Sequence, residues 1–392
     1  MNKLSLNEIN HLYEHGILED FNKDWVCDLS GEVHPLYRRS RWPGLTDQLY
    51  QDILPALQLA TRFLQQDVCI NYLARVATGE FTWVGKRNAG HISNVEYITR
   101  GRYQRTIEIL RVLRVEWTFG EWVTASYKGG ILDAETWPKL DTKLEDDSRP
   151  SYALRPAAFE HYEEDDYPWR IKVDLNEMYM RYLEAMPLQQ RPTGERARFL
   201  FHMSVVILHE TTHVLEKGRY IDYLNHHGAD HIYYRPEDKV PELGWDMENV
   251  AFLGARYNCS PLHNQIAELG IWRSTFKDVY MKDSEVSLRH PKQMFAVPVS
   301  HVHRYFTTQF WEDVKRYGYH NVQTPAYTLT ADRPNTWTKH HIIVRGPKVW
   351  DFAICSCDDV ECYDGGICSS KKRPHDSEGS DARKRRKTRK RY

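Results

Sequence analysis

The stretch that most constrains this chain is Ser204-Val-Val-Ile-Leu-His-Glu-Thr-Thr-His-Val-Leu-Glu216. His209 and His213 stand four residues apart, so in an α-helix they share a face, one turn above each other. Their imidazoles can then converge on one divalent ion, most often zinc. Glu210 follows His209 by about 100° of helix rotation. From there a carboxylate reaches a water on the ion without ligating the ion itself. Every other position from Val205 to Leu215 is uncharged. Such a helix is expected to be buried nearly all round over these turns. The ionisable groups in its middle need partners, and one shared ion satisfies both histidines together.

A catalytic zinc usually takes three protein ligands and keeps a fourth position for water. The downstream helix expected from Glu242 to Tyr257 offers two carboxylates. Glu248 shares a face with Gly244, Ala251, Phe252 and Ala255. A carboxylate on that small, apolar face is desolvated and needs a cationic partner, which makes it the first candidate. Gly244, one turn earlier, would let this helix come close to the metal helix. Glu242 is the near second. It lies with Trp245, Asp246 and Asn249, and as an acid in the first turn it also suits the helix dipole. Asp246, four residues on, could orient a ligand histidine from behind. A third source is the cluster His226-His-Gly-Ala-Asp-His231, where His227 ranks after both glutamates. The expected ligands are His209 and His213, with Glu248 or else Glu242 as the third, and Glu210 is catalytic.

The uncharged flank of the motif resembles the longer zincin signature. Glu248-Asn-Val-Ala-Phe-Leu-Gly254 is similar to the neprilysin-type segment that supplies the glutamate ligand in gluzincins, with Phe252 standing where that family has a supporting aspartate. Glu242-x-x-x-Asp246 resembles the thermolysin-type pairing instead. H-E-x-x-H together with Glu-x-Gly-x-x-x-Glu-Asn-x-x-Phe resembles a family of uncharacterised fungal zincin-like proteins, over about residues 50–320. That resemblance implies a gluzincin-like core and carries no established substrate.

Periodicity predicts an α+β fold, helix-rich, with a zincin-like core: a small sheet and the metal helix packed on a second ligand helix. Ser5-Leu-Asn-Glu8 reads as a capping box ahead of a short helix that Gly16 ends. Residues 19–44 read as irregular. Thr46 caps a long amphipathic helix that Pro55 should kink, and a second helix covers 67–77. Residues 106–126 read as one or two strands, and 128–168 as a long loop with acidic runs. Trp169–Leu175 alternates as a half-buried strand does, and its 171–175 part could be the edge along which a peptide lies. A helix over 176–186 follows, then the metal helix from 195 to 216, with Gly218 as its stop. Further helices are expected over 261–289 and from Ser300 to Gly318, with short strands in 325–350.

The domain reading is an N-terminal irregular segment over 1–45, a zincin-like metallopeptidase-type domain over 46–350, a Cys-rich segment over 351–370 and a basic tail over 371–392. Cys355, Cys357, Cys362 and Cys368 could hold a structural ion, although their spacings are not those of a standard zinc knuckle. The last 22 residues hold 11 Lys/Arg against 3 Asp/Glu, while the rest of the chain is acidic. Lys371-Lys-Arg373, a polar spacer and Lys384-Arg-Arg-Lys387 resemble a bipartite nuclear-import signal. An import receptor is therefore an expected partner, and the nucleus the expected location, with the cytoplasm as the alternative. Nucleic acid is a weaker partner, because the body shows no aromatic–basic face. Neither a secretory signal nor a membrane span is expected. The functional expectation is a zinc metallopeptidase acting on peptide or protein substrates. The alternative is a nuclear, nucleic-acid- or protein-associated factor whose metal site is structural or vestigial.

Overall fold

The structure is a computed structural model. It describes residues 10, 12–19, 25, 27–79, 81–84, 89–92, 98–120, 134–140, 169–227, 231–234, 242–252, 255–258, 271–275, 292–319, 330–333 and 343–345. The chain divides into two units, Met1–Trp350 and Asp351–Tyr392, and the described residues all belong to the first. The Ser5 cap, the acidic runs, the four clustered cysteines and the basic tail lie outside them.

Thr46 caps α1 (Asp47–Leu64) by accepting a bond from the Leu49 amide at 3.2 Å. Pro55 lies within this helix, and the side carrying Ile53, Leu57, Ala60 and Leu64 is buried. α2 (Asp67–Thr78) ends at Gly79. β1 (Phe81–Val84) and β2 (Ala89–Ile92) pair as a hairpin. α3 (Arg100–Val112) occupies the first part of the stretch expected as strand. The Thr99 hydroxyl caps it, and Thr106, Ile109 and Leu110 are buried at helical spacing. A run rich in Ile, Val and Leu satisfies either period, and here the cap decides.

β3 (Arg114–Gly120), β4 (Ala134–Leu140) and β5 (Trp169–Asn176) form one sheet, with β5 in the centre, parallel to β3 and antiparallel to β4. Two sequence expectations change. Part of the expected loop is β4, and β5 is paired on both sides, so it offers no free edge. Asn176 caps α4 (Glu177–Ala185) through the Met178 amide. The helix expected to hold the metal ligands, α5 (Thr193–His227), is 35 residues long. Gly218 does not stop it. A glycine inside a helix costs only about 1 kcal/mol, and Gly218 is buried.

β6 (His231–Tyr233) joins β2 in parallel. α6 (Leu243–Ala251) ends earlier than expected, and the chain turns into β7 (Ala255–Asn258). β8 (Ile271–Thr275) is strand inside a stretch expected as helix. β9 (Lys292–Val297) follows, then two helices instead of one. α7 (Val299–Tyr305) and α8 (Thr308–Tyr317) are separated by Thr307, whose side chain accepts from the Phe310 amide. Ser300 is therefore not a cap. Gly318, with φ at 88°, ends α8. β10 (Thr330–Arg333) and β11 (Ile343–Arg345) complete an antiparallel sheet ordered β11-β10-β9-β8-β7. The fold is α+β and helix-rich. Among the described residues no helix is long and apolar enough to cross a membrane.

One aromatic core joins the helices around α5. Phe201 stacks on Tyr305 at 5.2 Å and meets Phe252 edge-on at 5.8 Å. Phe63 of α1 packs edge-on against Phe252 and Trp311. The segment before α1 is ordered by two short 3-10 turns, Pro35–Tyr37 and Arg39–Arg41. Half-buried His34 donates its amide to Thr61 Oγ1 and accepts the Leu36 amide on Nδ1.

Burial, with Arg111 and Arg38 nearby, pushes His34 down to about 4. An unfolded chain would protonate it near the ordinary imidazole value. Its neutral form therefore supports the fold fully above about pH 6.5, and that support is lost as the pH falls towards 4. The loss is at most about 3 kcal/mol, less what solvent screens. His34→Asn removes the titration and keeps an acceptor. Its urea midpoint should fall less than the wild type's between pH 7 and 4.5, and equal falls would remove the assignment.

Candidate metal centre

α5 carries His209, Glu210, His213 and Glu216 into the protein, and α6 meets them end-on. Glu242 is the N-cap of α6, just outside the helix, with its side chain accepting from the Gly244 amide at 3.2 Å. That cap position turns the carboxylate back towards α5. Tyr72 of α2 holds the same end in place, its hydroxyl donating to Leu243 O at 2.8 Å.

His209, His213 and Glu242 each offer a ligand atom, and these atoms lie within 4.8 Å of one another. Glu242 Oε1 is 2.6 Å from His213 Nε2 and 3.4 Å from His209 Nε2. The Nε2 atoms thus face the cluster, and the Nδ1 atoms face outward to other carboxylates. His209 Nδ1 bonds Glu248 Oε1 at 2.7 Å, and His213 Nδ1 bonds Glu216 Oε2 at 2.8 Å. Glu210 Oε1 stands 3.9 Å from His209 Nε2. Burial divides the six groups. Glu210, Glu216 and Glu248 are buried, whereas the Glu242 side chain is 25% exposed and the two histidine side chains 15% and 17%. The inner cluster is the side open to solvent.

The expected residues are thus sorted by ring geometry. The structure gathers His209, His213 and Glu242 at the cluster. It places Glu248, the first-ranked ligand, on the opposite nitrogen of His209, where it finds the cationic partner its burial calls for. Asp246 is buried in α6, and the outer carboxylate on His209 comes from Glu248. The side chain of His227 lies outside the described residues, as does that of Tyr233. Tyr234 is buried on the α2 side, its ring 4.8 Å from Tyr72 and its hydroxyl accepting from Arg75 at 3.0 Å. His301 bonds Tyr305, and His303 stacks on Trp25. Glu216 was not among the expected residues. Its signal was its place three residues after His213 on a helix with otherwise apolar flanks.

Gly244 makes the approach of the helices possible. A Cβ there would come closer than 3.0 Å to Nε2, Cδ2 and Cε1 of His209.

The charges are strongly coupled. Burial opposes a charged imidazole, but Glu242 and Glu248 outweigh it, and His209 is pushed up to about 9. His213 is likewise held well above its ordinary value by Glu242 and Glu216 against burial. Burial would raise Glu242, yet His213 and His209 hold it well below the usual carboxylate range. With no ion, both rings are thus held towards their charged form and Glu242 towards its own, and the 2.6 Å contact of His213 with Glu242 is the shortest polar contact of the cluster. Three carboxylates around two imidazoles favour added positive charge here, and the donor set fits a divalent ion in proximity, with each ring anchored from behind by a carboxylate.

No protein-family model matches the chain, and no curated protein or solved structure matches it.

Proposed function

We propose that the protein is a zinc-dependent metallopeptidase with a zincin-like core, hydrolysing peptide bonds with Glu210 as general base. The observation that carries this reading is the convergence of His209, His213 and Glu242 within 4.8 Å on the partly open side of the α5–α6 junction. Two imidazoles and a carboxylate are a donor set that suits zinc and leaves a position for water. Bound there, the ion would lower the pKa of a water and polarise a substrate carbonyl.

The chain's own residues supply the rest. Glu210 is buried beside His209 Nε2 and outside the gathered ligand trio. It can take a proton from the attacking water and deliver it to the leaving amine. Glu216 and Glu248 hold the histidine rings in orientation. One way to hold an extended substrate is to add it to an open strand edge. β4 packs on α5 and, among the described residues, pairs on one side alone.

Zinc content should be about one per chain and fall to near zero in His213→Ala. Glu210→Gln should keep the zinc and lose about 10²–10⁴-fold in cleavage of a mixed peptide library read by mass spectrometry. Protein that takes up no zinc would end the metal reading. Zinc-loaded protein whose cleavage does not depend on Glu210 would end the peptidase reading and leave the metal.

A further inference from the structure

The rear of the same helix carries a second contact. Thr211 sits inside the H-E-x-x-H turn, about 200° round the helix from both His209 and His213. Its buried hydroxyl donates to Ile207 O at 2.7 Å, which uses its one hydrogen. The Tyr37 hydroxyl, 2.7 Å from Thr211 Oγ1, must then be the donor to it.

Tyr37 is fully buried, and its own backbone is held with unusual thoroughness. Tyr37 O accepts from Trp42 Nε1 at 3.2 Å and from the Tyr50 hydroxyl at 3.0 Å. Leu36 O accepts from Trp117 Nε1 at 2.8 Å. Trp42 stacks on Trp117 at 5.4 Å, and Tyr37 meets Trp117 edge-on at 5.8 Å. Two indoles and a phenol thus spend their polar hydrogens on two consecutive carbonyls. A buried indole N–H or phenol O–H needs an acceptor wherever it lies, and all three find theirs on the backbone that carries the Tyr37 hydroxyl.

We propose that Tyr37 is a positioning residue of the metal centre, setting the height and rotation of the His209–His213 turn through Thr211. The inference rests on the metal reading above, not on peptidase activity. On its front α5 is tied to α6 by the bonds of His209 and His213 to Glu248 and Glu242, and on its rear Val206, Val214 and Leu215 make apolar contacts, which tolerate small slides. A directional bond to the middle of the motif does not.

The test uses the full chain with cobalt(II) as a spectroscopic stand-in for zinc. Tyr37→Phe should weaken cobalt binding about tenfold, in the range seen when groups behind a ligand are removed, and should shift the cobalt visible bands. Thr211→Val should do the same, and the double variant should lose little more than either alone. Leu110→Ala, a core truncation in α3, gives the baseline for lost stability alone and should leave the bands unmoved. If Tyr37→Phe fails to fold, Thr211→Val carries the same expectation. Variants that lose stability yet bind cobalt with wild-type affinity and spectrum would overturn the proposal. Wild-type protein that binds neither cobalt nor zinc would remove the metal reading, and this inference with it.

Discussion

Gly244→Ala is expected to abolish the proposed zinc binding. Zinc affinity should fall at least about 100-fold, and the fold should lose about 1–3 kcal/mol through overpacking. The added methyl would overlap three atoms of the His209 ring. The ring has nowhere to go. Its Nδ1 is tied to Glu248 at 2.7 Å, and its neighbours Ile207 and Leu208 are fully buried. If α6 retreats instead, Glu242 leaves His213 and Leu243 O leaves Tyr72. The sign of the effect is what makes the experiment informative. Gly244 is helical with no positive φ, and by helix propensity alone alanine should stabilise by up to about 1 kcal/mol. Close approach of the two helices predicts the opposite. Chelator competition and urea unfolding on the same samples decide it, and an alanine variant that is stabilised and still holds zinc would show that α6 does not lie where the structure puts it.

Gly244 also shows what a helix period can reveal. Its place on the small face of a downstream helix, one turn before Glu248, was enough to expect a tight crossing with α5. The histidine pair, Glu210 and the burial of the flanks follow from the same period. Choosing between Glu242 and Glu248 does not. A helical wheel ranks residues inside a helix, and Glu242 is outside it, at φ −142° and ψ 85°. From the cap its carboxylate can reach along the axis, a direction no wheel represents. Glu248 does lie on the expected face and does find a histidine, but on the outer nitrogen. The strands were harder for another reason. Ile271–Thr275 is a short run whose type depends on a neighbour, β9, that pairs with it from beyond a long gap in sequence. Nothing in Pro35-Leu-Tyr37 announces a bond to a threonine 174 residues away. Long-range polar contacts from irregular turns carry no period at all.

Zinc uptake near neutral pH should release about two protons per ion, because both imidazoles must give up their Nε2 protons to ligate. Calorimetry in buffers of different ionisation enthalpy counts them. With His209 held near 9 and His213 also raised, apparent affinity should fall by up to about 10⁴-fold between pH 8 and 6, two powers of ten per unit. No proton release together with an affinity flat across that range would mean that the rings are not the ligands. The same shifts act in the opposite direction on the metal-free fold. A raised imidazole stabilises fully below its unfolded value, about 6.5, and that support is lost as the pH rises through about 9. Glu242, held low, adds support that is lost only well into acid. His34 subtracts below about 6.5. In chelator, urea stability should therefore peak near about pH 6.5 and decline on both sides. In excess zinc the alkaline decline should vanish and the optimum should move upward, because bound ion adds stability that grows as protons leave. The metal-free and metal-loaded curves should thus diverge above neutrality and converge in acid. Superimposable curves would show that no ion displaces the protons of this cluster.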